Sequence, residues 1–193
     1  MYTDRYSVWM ATTDDQIAAA AAARFHEHGI TSTGVDDLAR AAGISKRTLY
    51  QRFGSKDGLI VAAYESLDLP VYEMFIRPAE AATDDPRGRI DALFGALEQA
   101  VQMPEFRGCP FSNAAAELVD PNHPAHAVVR RHKQRLERWM ARQLRAAGAA
   151  EPAAVARQLM LLWAGAQMQA LVKRSAGPVR DARAMARTVV AAA

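Results

Sequence analysis

The sequence predicts an all-α chain, on three observations. Apolar residues recur at helical spacing from Ile17 to Val190, no stretch alternates with the period of a strand, and alanine, a strong helix former, fills the segments between turn signals. Residues 31–60 divide into two short helices around one glycine turn, with a third helix starting directly behind them.

The elements follow in order. Residues 1–12 read as a loose, flexible N-terminal arm, a partly ordered tail carrying Tyr6 and Trp9. A first helix is expected from Thr13 or Asp14 to His28, with Ile17, Ala21, Phe25 and His28 as its inner stripe and Gly29 as its end. Two short helices cannot bury a core alone, so this helix braces them. Thr33 is the expected N-cap of the second helix, and Asp36 and Asp37 complement its positive end. Val35, Leu38, Ala39 and Ala42 form its apolar stripe, and Gly43 stops it. Ile44 anchors the turn and Ser45 caps the third helix, in which Leu49 and Phe53 face inward. That leaves Ser45, Lys46, Arg47, Tyr50 and Gln51 outside.

Long helices come next. One runs from Ser55 to about Glu80, with a kink expected at Pro70 because proline removes a ladder bond. Another starts at Asp84-Asp85-Pro86, buries Ile90, Leu93, Phe94, Leu97 and Val101, and breaks at Met103-Pro104. A short helix over Pro110–Val119 precedes a long amphipathic one from Pro124 to about Ala147, with Val129, Leu136, Trp139, Met140 and Leu144 inside. Glu151-Pro152 and Gly177-Pro178 open the last two.

The charge pattern points to a partner. Between Arg40 and Lys56 lie five basic residues (Arg40, Lys46, Arg47, Arg52 and Lys56) and no acidic one. The net charge of the whole chain is only +3, so basic character is focused on one short element. A helix-turn-helix whose second helix carries the positive charge suits duplex DNA. Lys56 sits in the first turn of a helix capped by Ser55, where a cation is mildly disfavoured unless a phosphate binds there; a solvated lysine is the alternative.

With these residues in place, Ile17 to Leu59 resembles the DNA-binding domain of the tetracycline-repressor (TetR) family of bacterial transcriptional regulators. Ile17, Phe25, Gly29, Thr33, Val35, Leu38, Ala39, Gly43, Ser45, Leu49, Tyr50, Phe53, Lys56 and Leu59 carry the match. The resemblance implies an all-α fold: an N-terminal three-helix helix-turn-helix DNA-binding domain at residues 13–57 and a C-terminal helical ligand-binding and dimerisation domain at 58–193. It further implies a homodimer on double-stranded DNA, usually a repressor. Phosphate contacts are implied for Thr33, Tyr50 and Lys56, and base-edge or mixed contacts for Ser45, Lys46, Arg47 and Gln51. Gly34 stands where the family often has a hydroxyl. Arg52 stands where histidine or tyrosine is common, and its expected contact is a phosphate. Two-fold symmetry predicts a palindromic operator.

In the helical body, Met74, Phe75, Phe94, Met103, Phe106, Phe111, Trp139, Met160, Trp163 and Met168 are candidates to line a ligand pocket or to fill the core. With no buried charge cluster evident, the favoured small-molecule inducer is apolar or aromatic, with a cationic compound as a variant of that reading. The resemblance implies that the final two helices pair with their symmetry mates, and Ala164, Gly165 and Ala166 suit close approach. Cys109, at a helix start before Pro110 and near Arg107, suggests an alternative, a regulator sensing oxidants or electrophiles; the plainer reading is a small buried residue.

Other classes find little support. There is no glycine-rich phosphate loop, nucleophile elbow or HExxH, so no enzyme and no cofactor is expected. His123 and His126 flank Pro124, and His26 and His28 cannot share a helical face, so no metal site is expected. The arginine-rich segment Arg130, Arg131, Lys133, Arg135, Arg138, Arg142 and Arg145 reads as a solvated helix face. The single cysteine, the lack of a signal-peptide pattern and the absence of a bilayer-length apolar run suggest a cytoplasmic protein without a membrane partner.

Overall fold

Apolar stripes at helical spacing fold here as helices throughout. The computed structural model describes residues 13–193, so the arm at 1–12, with Tyr6 and Trp9, lies outside the described residues. Its helices are α1 Thr13–His28, α2 Val35–Ala41, α3 Lys46–Phe53, α4 Lys56–Ala82, α5 Pro86–Val101, α6 Pro110–Glu117, α7 Ala125–Ala146, α8 Pro152–Lys173 and α9 Gly177–Ala191, with no strand among the described residues. None of these helices is long and apolar enough to cross a membrane.

Two compact units share the chain: one runs through Val71 and takes in Pro110–His132, and the other comprises Tyr72–Cys109 and Lys133–Ala193. Residues 58–71 and 110–132 therefore pack with the helix-turn-helix. In this first unit Ile17, Ala18, Ala21, Ala22 and Phe25 of α1 are buried together with Leu38, Leu49, Leu59 and Ile60. His28, expected on the inner stripe, is exposed beside Glu27; Ala18 and Ala22 occupy the inner face instead. Farther along the unit, the Phe111 ring stacks on His132 at 3.7 Å and meets Tyr64 edge-on at 5.7 Å. His132 Nδ1 lies 2.9 Å from Asp68 Oδ1, and both side chains are buried, so this polar pair is matched internally.

The second unit is built on the buried faces of α5, α7, α8 and α9. Leu93, Phe94, Leu97, Trp139, Met140, Leu144, Leu159, Trp163 and Val179 form its centre. Trp163 is met edge-on by Phe75 at 5.1 Å and by Phe94 at 5.5 Å, the offset geometry that aromatic quadrupoles favour. Trp139 Nε1 donates to Glu80 at 2.8 Å, which satisfies its one polar atom. The α4 helix continues through Pro70 to Ala82.

An ionic joint ties α5 to α9. The Asp91 carboxylate accepts two bonds from Arg183, at 2.8 and 2.6 Å, and two from Arg187, at 2.6 and 2.9 Å. The Arg183 hydrogen bonds hold the Asp91 carboxyl far below the ordinary carboxylate range, against the opposing effect of burial and with further help from Arg187. A carboxyl lowered by folding contributes stability above its unfolded value, near pH 4, and loses that contribution as pH falls below it. We expect acid unfolding of the wild-type protein to include this loss, worth about 1–2 kcal/mol for a partly exposed pair. Asp91→Asn should therefore lower stability at pH 7 and narrow the gap to wild type below pH 4, as read by urea titrations at both pH values.

The outward face of α8 is apolar. Leu161, Met168 and Val172 are 76, 50 and 69% exposed, and Met185 of α9 is 56% exposed. Leu161, Gly165, Met168 and Val172 follow the i, i+4, i+7, i+11 spacing of one helical stripe. A methyl group added at Gly165 would meet nothing within 4 Å. Met168, a pocket candidate on sequence grounds, belongs to this exposed stripe rather than to the interior.

Candidate nucleic-acid interface

The α2–α3 turn is set by a few local bonds. Gly43 takes the left-handed conformation (φ 66°) after α2; its N–H donates to Arg40 O at 3.1 Å, and the Ile44 N–H to Ala39 O at 3.0 Å. This pair of bonds is the Schellman arrangement, open to glycine without steric cost. Ser45 then caps α3, its Oγ accepting from the Thr48 N–H at 3.0 Å. Leu49 is fully buried and Phe53 half-buried, so α3 is anchored along one side only. Ser45, Lys46, Arg47, Tyr50, Gln51 and Arg52 are exposed.

Two of these cations are engaged within the chain. Lys46 Nζ lies 3.2 Å from Asp36, and Arg52 pairs with Asp14. The Arg47 guanidinium makes no ion pair among the described residues. With no acid in the first turn of α3, Lys46 and Arg47 stand at the positive end of the helix, an arrangement that a phosphate or a base acceptor would relieve.

The loop between α1 and α2 is gripped from three directions. The Glu117 carboxylate, at the end of α6, accepts from the Ile30 N–H at 2.6 Å and from the Thr31 N–H at 3.1 Å. Lys56 Nζ donates to Ile30 O at 2.8 Å, and the Thr33 hydroxyl donates to Gly29 O at 2.6 Å. Gly29 has φ 87°, which favours glycine, and a Cβ there would press on the Glu117 carboxylate at 3.0 Å.

Thr33 is thus 3% exposed, with its hydroxyl turned inward; a phosphate bond from it would require that hydroxyl to leave Gly29. Nor is Thr33 the N-cap of α2: Gly34 is, without a side-chain bond, because the Thr33 oxygen is held by the turn. Lys56 is half-buried and uses one of its three donors on the same turn. Sequence reasoning missed Glu117, which lies 87 residues from Ile30 and has no local pattern to mark it.

The pocket candidates divide between the units. Phe75, Phe94, Trp139, Met160 and Trp163 gather in or against the core of the second, together with Phe106. Met74 and Met103 are half-buried in that unit, whereas Phe111 lies in the first, stacked on His132. Cys109 is buried, and Lys133 Nζ donates to its Sγ at 3.2 Å. Of the α7 cations, Arg130, Arg138, Arg142 and Arg145 are exposed, Arg131 pairs with Glu65, and Arg135 lies over the Tyr72 ring.

Comparison with known proteins places this architecture. Residues 17–63 match the family pattern described as bacterial regulatory proteins, tetR family, and residues 86–186 match the tetracyclin repressor-like C-terminal domain. The chain is 27% identical to the HTH-type transcriptional repressor NemR of Escherichia coli strain K12 over 175 residues, covering 86% of this chain and 87% of that one. Among solved structures, the TetR-type regulator sav143 from Streptomyces avermitilis is 32% identical, with a TM-score of 0.83 and coverage of 94% of this chain and 98% of that one. The TetR-family regulator SCO4454 from Streptomyces coelicolor is 26% identical, again with a TM-score of 0.83, covering 95% and 91%. Both domain patterns fall on the helices described above, so the chain belongs to the TetR family of bacterial transcriptional regulators, DNA-binding proteins that are not enzymes.

Proposed function

We propose that the protein is a homodimeric repressor that holds a palindromic operator and is released from it by a small apolar or aromatic molecule bound in the helical body. The observation that carries the DNA reading is the exposed row Ser45, Lys46, Arg47, Tyr50 and Gln51 on a helix capped and buried along its other side. A helix of this width fits a major groove, where such donors would reach base edges and the flanking cations phosphates. The apolar stripe of α8 supports pairing of two copies, since a face of that character is otherwise left to water. Release is a population shift: a thousandfold loss of operator needs a ligand that prefers the released state by about 4 kcal/mol.

Selection of bound genomic fragments tests the reading directly: enrichment of a palindrome supports it, and capture of random duplex with equal affinity refutes it. Substitutions then assign roles. Arg47→Ala or Gln51→Ala should relax base preference, at about 1–3 kcal/mol per lost bidentate contact. Tyr50→Phe should weaken all duplexes alike, through the loss of one phosphate contact. Gel-shift titrations on operator and scrambled DNA separate the two patterns, and a uniform loss in every variant would overturn the division.

A second reading, thiol sensing at Cys109, is favoured by one observation, the Lys133 ammonium on its sulfur. Its test is the oxidant response of operator binding, which should vanish in Cys109→Ser; a response that persists ends it.

A further inference from the structure

We propose that Gln167 is the polar anchor of the effector site and that the ligand is a planar aromatic molecule carrying an N–H or O–H donor. This rests on the reading that an effector binds within the second unit, and it names the chemistry of that effector.

Gln167 is 5% exposed on α8, and with Gln143 it is one of two buried glutamines in a unit whose core is mostly apolar. Its Oε1 is enclosed and has no hydrogen-bond partner among the described residues. Two other polar groups of this unit are matched within it, Trp139 Nε1 by Glu80 and Asp91 by Arg183 and Arg187, whereas the Nε atom of Arg135 is, like the Gln167 oxygen, enclosed without a hydrogen bond. Buried polar atoms in native proteins are satisfied in the great majority, and an orphan amide marks a place where a bound group supplies the missing bond.

The setting specifies the rest of the ligand. Gln167 follows Trp163 by one helical turn, so the two side chains leave the same face of α8. Trp163 is held edge-on by Phe75 and Phe94, which makes its surroundings aromatic. The buried residues beside Gln167 on that face are Ala166 and Ala170, which fill little volume. A flat ring packed toward Trp163, with a donor one turn away, meets both requirements. A purely apolar molecule would meet one and leave the amide oxygen buried and unbonded.

Indole and benzofuran provide the test, being close in shape and differing in an N–H donor against an oxygen acceptor. Calorimetric titration of the full-length protein should show indole binding at least tenfold more tightly than benzofuran. In Gln167→Leu, a similar volume without the carboxamide, the two probes should fall within threefold of each other, with benzofuran affinity kept or raised. A melting temperature at or above that of wild type would show that the variant folds. Equal affinities on the wild type, tighter binding of benzofuran, a preference retained in the variant, or no binding of either probe at millimolar concentration would each overturn the proposal. Operator release in the same samples is a separate readout. Indole that binds through Gln167 but leaves the operator complex intact would defeat the effector reading and leave the anchor standing.

Discussion

Replacing Leu161 and Met168 together with arginine is expected to yield a folded monomer and to cost operator affinity of the order of 10²–10³-fold, the scale of gain from linking two binding heads. Both side chains are exposed in the single chain, at 76 and 50%, so the substitutions leave its core untouched. In a pairing of α8 faces they would place unpartnered charges in a buried apolar contact, which is strongly unfavourable. The open space around Gly165 is the other half of this argument: only on a surface kept bare of a neighbouring side chain can a second helix approach closely. Sedimentation equilibrium and gel shift on the same preparation check the result. A variant that still sediments as a dimer would move the interface elsewhere. A monomer with full operator affinity would show that pairing is dispensable for binding.

The second large effect is expected at Glu117. Glu117→Ala removes the acceptor for the Ile30 and Thr31 N–H groups, of which Ile30 is buried, and strands a donor where water reaches it poorly. A charge-assisted bond lost and a donor left unmet amount to roughly 2–4 kcal/mol, a substantial share of the 5–15 kcal/mol that a domain holds in reserve. The loss falls on the segment that fixes α1 against α2, so operator affinity should drop along with stability. Glu117→Gln, which keeps one acceptor oxygen, should fall between the two. Amide hydrogen exchange gives the local readout: in Glu117→Ala the Ile30 and Thr31 amides should exchange faster, with those in the middle of α8 unchanged. Unaltered exchange at those two amides would show that the turn holds without the carboxylate.

Much of this was legible in the sequence because it is encoded locally. The Gly43 stop, the Ser45 cap, the buried Leu49 and the exposed Lys46, Arg47, Tyr50 and Gln51 each follow from neighbours within one or two turns. The core of α5 and α7 was readable for the same reason, through the periodicity of Ile90, Leu93, Phe94 and Leu97 and of Leu136, Trp139, Met140 and Leu144. Most of what escaped depends on partners distant in the chain, and the rest on a competing local bond. Thr33 carries a capping residue's chemistry, yet its hydroxyl is held by a carbonyl in the preceding turn. Lys56 looked free for a phosphate, and it also ties the Ile30 carbonyl across 26 residues. Met168 and Trp163 both read as pocket candidates, and only the packing of α8 sends one outward and the other into the core. The orphaned amide of Gln167 has no signature at all in a one-dimensional reading, since a glutamine in a helix is unremarkable until its surroundings are known.

The carboxylates of Asp36 and Asp14 add a last consequence. Each occupies a cation of α3, Lys46 and Arg52 respectively, within the chain itself. A surface pair of this type is worth at most about 1 kcal/mol, too weak to keep either side chain from a well-placed acceptor. It is nonetheless a toll levied on every encounter, and only a site offering several simultaneous contacts recovers it. On the proposed DNA contact of α3, the chain would thereby supply its own competitor for the polyanion, lessening residence on indifferent sequence and leaving more free molecules to search for the right one.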